Sequence, residues 1–194
     1  MVDHVTMMLT WQGLDVPRLE GVRLVLSQRG MRATGAMVSP ATADQPAFAT
    51  TYSLITGETG IVSRVSVRSV SVEGERQVTL SRSDDGIWLV DHGLGAKRTD
   101  FDGAADVDVA SCVLFNALPV RRLGLHIRPG MHDLPMVYVS LPYLKVELVR
   151  QSYRSNTGNV GPPSLTFSSG QFTADLTVDN EGIVLTYSGL ARRI

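Results

Sequence analysis

Apolar residues recur along this chain with a period of two. Across residues 171–179, Phe172, Ala174, Leu176 and Val178 share one side of an extended chain, and Thr173, Asp175 and Thr177 share the other. That alternation marks a strand with one face buried and one in water. The same reading puts Val22, Leu24 and Leu26 on one face, Leu144, Val146 and Leu148 on another, and Leu123, Leu125 and Ile127 on a third. Residues 61–73 change phase: Ile61, Val65 and Val67 are odd, Val70 and Val72 even. A switch near Ser69 predicts a β-bulge or a strand passing between two face environments.

Turn chemistry punctuates these runs. Ser83-Asp84-Asp85-Gly86 and Asp179-Asn180-Glu181-Gly182 each suit a type I turn closed by a left-handed glycine. Two longer loops, Ser39–Pro46 and Ser155–Pro163, are too short to link domains. About a dozen strands spaced by about 8–12 residues predict a barrel, roll or sandwich. Only Ser111–Leu118 breaks the pattern, being apolar without alternation. It reads either as a buried strand or as a short helix capped by Ser111 and ended by Pro119. A helix so apolar has to lie inside the sheet.

Composition narrows the class. The 194 residues are 43% hydrophobic and 19% charged, which supports a sizeable core, excludes disorder and fits one domain over 1–194. A net charge of -1 offers no field for nucleic acid or an anionic membrane. Cys112 is the only cysteine, so no intrachain disulfide forms and a reducing compartment fits. The first residues carry Asp3 and no basic stretch, unlike a signal peptide. No window approaches the roughly 18 apolar residues of a membrane helix. The expectation is a cytoplasmic protein without a membrane span; composition leaves the oligomeric state open.

Asp106 and Asp108 lie two apart, on one face of a strand, with Asp102 near. Three carboxylates suit a hard cation, but Gly103 comes too early for an EF-hand loop. The expected role is instead to bond loop amides or to pair with Arg121 and Arg122. In a strand those arginines point to opposite sides, and an inward one needs Asp106 or Asp108 as partner. The alternative is a ligand phosphate or carboxylate. Asn116 must find partners in its apolar surroundings. Tyr153 shares a face with Gln151 and either seats its ring in the core or meets sugar hydroxyls. The histidines are scattered, and neither zinc spacing nor a nucleophile elbow, Walker loop or dinucleotide fingerprint occurs. No catalytic residue, metal or cofactor is expected.

The run Asp102, Gly103, Asp106, Val107, Asp108, Asn116, Leu118, Pro119, Arg121, Arg122, Leu123 resembles the central signature of the putative glycolipid-binding family. Trp11, Leu14-Asp15, Pro17, Leu19-Glu20 and Arg23-Leu24 resemble its opening. Trp88, Val90 and Asp91 resemble its middle. Gln151, Tyr153, Phe172, Asp179, Gly182, Val184, Tyr187, Gly189 and Leu190 resemble its end. The resemblance spans nearly the whole chain and rests on the order of many motifs. It implies a mainly β fold, a single strongly curved antiparallel sheet (a spiral β-roll, as in bacterial lipoprotein carriers) wrapped around one short helix near 111–118. It implies a non-catalytic role, binding a glycolipid or other amphipath in an apolar cavity for one or two acyl chains. Asp106, Asp108, Asn116, Arg121, Arg122, Tyr153 and Phe115 are the expected ligand contacts. Where the family tends to have Ser-Pro-x-Thr, this chain has Cys112-Val113-Leu114-Phe115, which either deepens the cavity lining or removes a polar contact. The rivals are an enzyme on a small amphipathic or sugar-lipid substrate and an interaction module without a ligand.

Overall fold

The computed structural model describes residues 4–156 and 161–194. Asp3 and the centre of the Ser155–Pro163 loop lie outside them. The strands are β1 (His4–Gly13), β2 (Leu19–Ser27), β3 (Gly30–Ser39), β4 (Phe48–Thr56), β5 (Val62–Ser71), β6 (Gly74–Arg82), β7 (Trp88–Asp91), β8 (Ala96–Thr99) and β9 (Asp106–Val109). A helix, α1 (Ala117–Arg122), precedes β10 (Met131–Val139), β11 (Val146–Asn156), β12 (Ser164–Ser169), β13 (Phe172–Val178), β14 (Val184–Tyr187) and β15 (Ala191–Arg193).

Among the described residues all fifteen strands form one sheet, ordered β8-β7-β6-β5-β4-β3-β2-β1-β15-β14-β13-β12-β11-β10-β9. Laid flat, its fourteen gaps of about 4.8 Å would hold β8 and β9 roughly 65 Å apart. Only residues 100–105 join those strands, and a chain that short reaches about 25 Å. The connection therefore forces the sheet to roll. The seam is bonded: Val62 N–H donates to the Ala105 carbonyl at 3.0 Å. The Ala104 carbonyl accepts Trp88 Nε1 at 3.0 Å and Arg82 Nε at 3.1 Å.

Every neighbouring pair is antiparallel except β9 and β10, which run parallel. Parallel neighbours need a crossover, and here it carries a 3₁₀ turn (Val113–Asn116) followed by α1. Residues 113–120 are all buried inside the roll, so of the two readings of this segment the helix holds. Its ends differ from expectation. Ser111 stands at φ 63 in a turn, and the cap position falls to Cys112, which makes no side-chain capping bond. Pro119 sits in the first turn of α1, where a missing N–H costs nothing.

Arg121 and Arg122 therefore occupy the last turn of a helix, not a strand. The alternation of Leu123, Leu125 and Ile127 has no strand behind it either. Leu125 N–H donates to Val120 O at 2.9 Å and Gly124 N–H to Arg121 O at 3.1 Å. With Gly124 at φ 67, these are the two bonds of a Schellman stop, which needs a left-handed residue.

Two strand readings change. β5 pairs β6 without interruption through Ser69; the irregularity lies at its other end, between Ile55 and Thr56 of β4. Ser69 stays inward because Thr50 Oγ1 donates to its hydroxyl at 3.3 Å, while Val70 and Val72 turn outward. In β11 the buried side is Val149, Gln151 and Tyr153, with Leu148 exposed. Leu144 lies before the strand at φ 57. Both predicted glycine turns form, with Gly86 N–H on Ser83 O and Gly182 N–H on Asp179 O at 2.9 Å each.

Gly35 lies opposite Tyr52 across β3 and β4. A Cβ there would stand 2.2 Å from the ring's Cζ. Tyr52 is pinned: its ring meets Phe115 edge-on at 5.0 Å, and its hydroxyl bonds Glu20. Gly35→Ala is expected to destabilise by about 2 kcal/mol through overpacking. Urea unfolding checks this; an unchanged midpoint would mean the ring swings aside freely.

Candidate functional site

A cavity of about 330 Å³ opens beside the start of the crossover. One side is the end of β9 and the turn after it, Asp108 to Val113. The other is the inner face of β10 to β13, with Tyr138, Val149, Gln151, Phe167, Ser169 and Phe172. Arg18, Tyr187 and Leu190 close the rim, and Asn116 lies at the crossover side. Parallel pairing sets Tyr138 beside Asp108, and antiparallel pairing sets Gln151 beside Ser169 and Ser169 beside Phe172.

The polar floor is a relay. Gln151 Nε2 donates to Asp108 Oδ2 at 2.7 Å. Tyr153 Oη shares its proton between Gln151 Oε1 at 3.1 Å and Asn116 Oδ1 at 3.3 Å. The tyrosine thereby fixes which way the Gln151 amide points. Tyr153 is buried, with its ring 5.1 Å from Phe167, so it supports the floor from behind. Burial pushes the Asp108 carboxyl up to about 6, against the Gln151 hydrogen bond that lowers it. Arg18 is tied off: Nη1 meets Asp15 Oδ1 at 2.6 Å and Nη2 meets Leu190 O at 3.0 Å.

The other sequence candidates lie elsewhere. Arg122 grips Asp106, with Nη2 on Oδ2 at 2.6 Å and Nε within 3.2 Å of both oxygens. This is the inward ion pair that the cost of isolated buried charge predicts. Burial raises the Asp106 carboxyl, and Arg122 opposes the rise. Arg121 faces Glu181, bonding its carbonyl oxygen. Both arginines border a separate, mostly polar hollow of about 270 Å³ near Thr56 and Glu58. Among the described residues no group of three acidic, histidine or cysteine side chains is placed to hold a metal. No described helix is long and apolar enough to cross a membrane.

The expected space for one or two acyl chains is smaller in the structure. Leu114, Phe115 and Leu118 are at most 2% exposed and fill the roll beneath the sheet. Cys112 and Val113 line the cavity, so the four-residue departure divides between lining and plug. The remaining volume equals about eleven waters, at the small end of ligand pockets. It matches one sugar ring or a short chain segment.

Sequence reasoning missed Glu20. This β2 carboxylate is buried, accepts Tyr52 Oη on Oε1 at 2.6 Å and accepts Val113 N–H on Oε2 at 2.6 Å. It caps the 3₁₀ turn that Ser111 was expected to cap. Burial lifts its carboxyl to about 7, while Tyr52, the Val113 and Leu114 amides and Arg18 pull it down. A signal was present: Glu20 is in phase with Val22, Leu24 and Leu26, a carboxylate on an apolar face. Arg18, Tyr138, Tyr187 and Phe167 were also missed; they come from the β1–β2 turn and from separated strands whose meeting depends on the curl.

A family model described as putative glycolipid-binding matches residues 8–193. A DUF1089 family protein from Pseudomonas aeruginosa has a similar crystal structure, with a TM-score of 0.74 over 90% of this chain and 92% of that one. At 24% sequence identity the likeness is one of fold. No curated protein matches the chain.

Proposed function

This chain belongs to the putative glycolipid-binding family, and we propose on that footing that it is a single, non-catalytic binding domain. It holds the head of a glycolipid, or of a comparable hydroxyl-rich amphipath, in the cavity beside Asp108. The observation that carries this reading is the lining itself: Asp108, Gln151, Tyr138 and Tyr187 around a cavity of about 330 Å³, with Phe167 and Phe172 as a wall. Carboxylate and amide groups bond ring hydroxyls, and aromatic faces cover the apolar C–H side of a ring. Phe172, 43% exposed, marks where an acyl tail leaves the cavity. Asp106, Arg122 and Phe115 hold the crossover that forms the cavity's edge. The lone buried thiol, Cys112, fits a reducing, cytoplasmic setting.

Thermal unfolding with a panel of short-chain glycolipids tests the proposal. A ligand at a hundredfold its Kd is expected to stabilise by about 2.7 kcal/mol, and mass analysis is expected to recover it unchanged. A midpoint indifferent to every member would refute binding. Recovery of cleaved or transferred sugar would favour the enzyme reading.

A further inference from the structure

Among the described residues two charged side chains line the cavity, Asp108 and Arg18. Arg18 is already paired with Asp15 and bonded to the Leu190 carbonyl. Among the described residues Asp108 has no cation partner, and its carboxylate accepts one side-chain bond, from Gln151 on Oδ2. Among the same residues no donor reaches its Oδ1. Tyr138 and Tyr187 line the same cavity, and neither hydroxyl has a hydrogen-bond partner among the described residues. With the Arg18 charge balanced by Asp15, the charge left unbalanced on the lining is the Asp108 carboxylate.

Resting on the binding reading above, we infer that the cavity selects uncharged, polyhydroxyl headgroups, seated by a hydroxyl pair on the free carboxylate edge of Asp108, and rejects anionic headgroups. A hydroxyl given to Oδ1 makes a charge-assisted bond, stronger than a neutral one. A phosphate or sulfate placed there meets a carboxylate of like charge in a partly desolvated site, with the one arginine already spent on Asp15. Lipids whose heads are sugars without acidic groups fit; phospholipid and sulfolipid heads do not.

Isothermal titration with octyl glucoside, octyl phosphate and octyl sulfate, which share one tail, tests the selection. Octyl glucoside is expected to bind at least about tenfold more tightly than either anion. Asp108→Asn is expected to weaken the glucoside by about tenfold or more, the loss typical of a hydrogen bond to a charged group, and to strengthen the phosphate. Phe172→Ala, at an exposed position, is expected to weaken all three alike and keep their order. Equal or tighter binding of octyl phosphate, or a glucoside affinity unmoved by Asp108→Asn, overturns the inference while the cavity stands as a binding site. No binding by any octyl probe overturns the binding reading together with the inference. Should Asp108→Asn fail to fold, the order of the three probes on the unaltered chain decides.

Discussion

Glu20→Ala is expected to destabilise the protein by about 4 kcal/mol at pH 5. The substitution strands the Tyr52 hydroxyl and the Val113 amide, both buried and both held at 2.6 Å. Each loses about 1–3 kcal/mol without an acceptor. A pH signature separates this from a plain cavity effect. The folded carboxyl lies at about 7 against an ordinary 4.5. A raised acid contributes stability that is full below about 4.5 and is lost as pH rises through about 7, roughly 3 kcal/mol in all. The unaltered protein should therefore weaken between pH 5 and 8, and Glu20→Gln should flatten most of that slope. Asp108, raised from 3.8 to about 6, acts in the same direction but in a lower window. Urea midpoints across this pH range check the claim; parallel curves for the protein and its Glu20→Gln variant would contradict it.

Arg122→Ala is expected to cost about 3–5 kcal/mol, because it leaves Asp106, 0% exposed, as an uncompensated buried charge. Arg82, the other cation that draws the Asp106 carboxyl down, is engaged with the Ala104 carbonyl. Removing both partners, as Asp106→Asn with Arg122→Ala, should cost clearly less than Arg122→Ala alone. A double-mutant cycle measures the difference. Equal losses in the single and double variants would show that Arg122 acts through packing alone.

The two effects share a cause. Glu20 pins the start of the crossover to β2, and Arg122 pins its end to β9. Between those anchors the apolar 3₁₀ turn and α1 hold the cavity edge at Cys112 and Val113. In this chain Asp106 and Arg122 seat the crossover, while Asp108 lines the cavity.

The period-two runs made most of the sheet legible, since Val22, Leu24, Leu26, Leu176 and Val178 are buried on the sides their parity assigns. The curl was not legible from alternation, because it follows from a six-residue link between the two edge strands. The family resemblance carried it instead. Alternation misled where apolar residues sit outside strands, as at Leu123 to Ile127, where a Schellman stop mimics the pattern. It misled again where a strand turns apolar residues to water, as at Leu148 and Val70. Arg122 found its aspartate because buried charge allows few solutions. Arg18 and Tyr187 stayed hidden because nothing local announces that β14 and the β1–β2 turn meet the end of β9.

The most direct test of the account is native mass spectrometry of freshly purified protein beside a Ser169→Trp variant, whose indole fills the cavity next to Gln151 and Phe172. A lipid-sized adduct is expected on the unaltered chain, taken up from a glycolipid panel if absent at purification, released by organic solvent and missing from the folded variant. An adduct carried equally by both proteins, or a bare mass that no glycolipid changes, would contradict it.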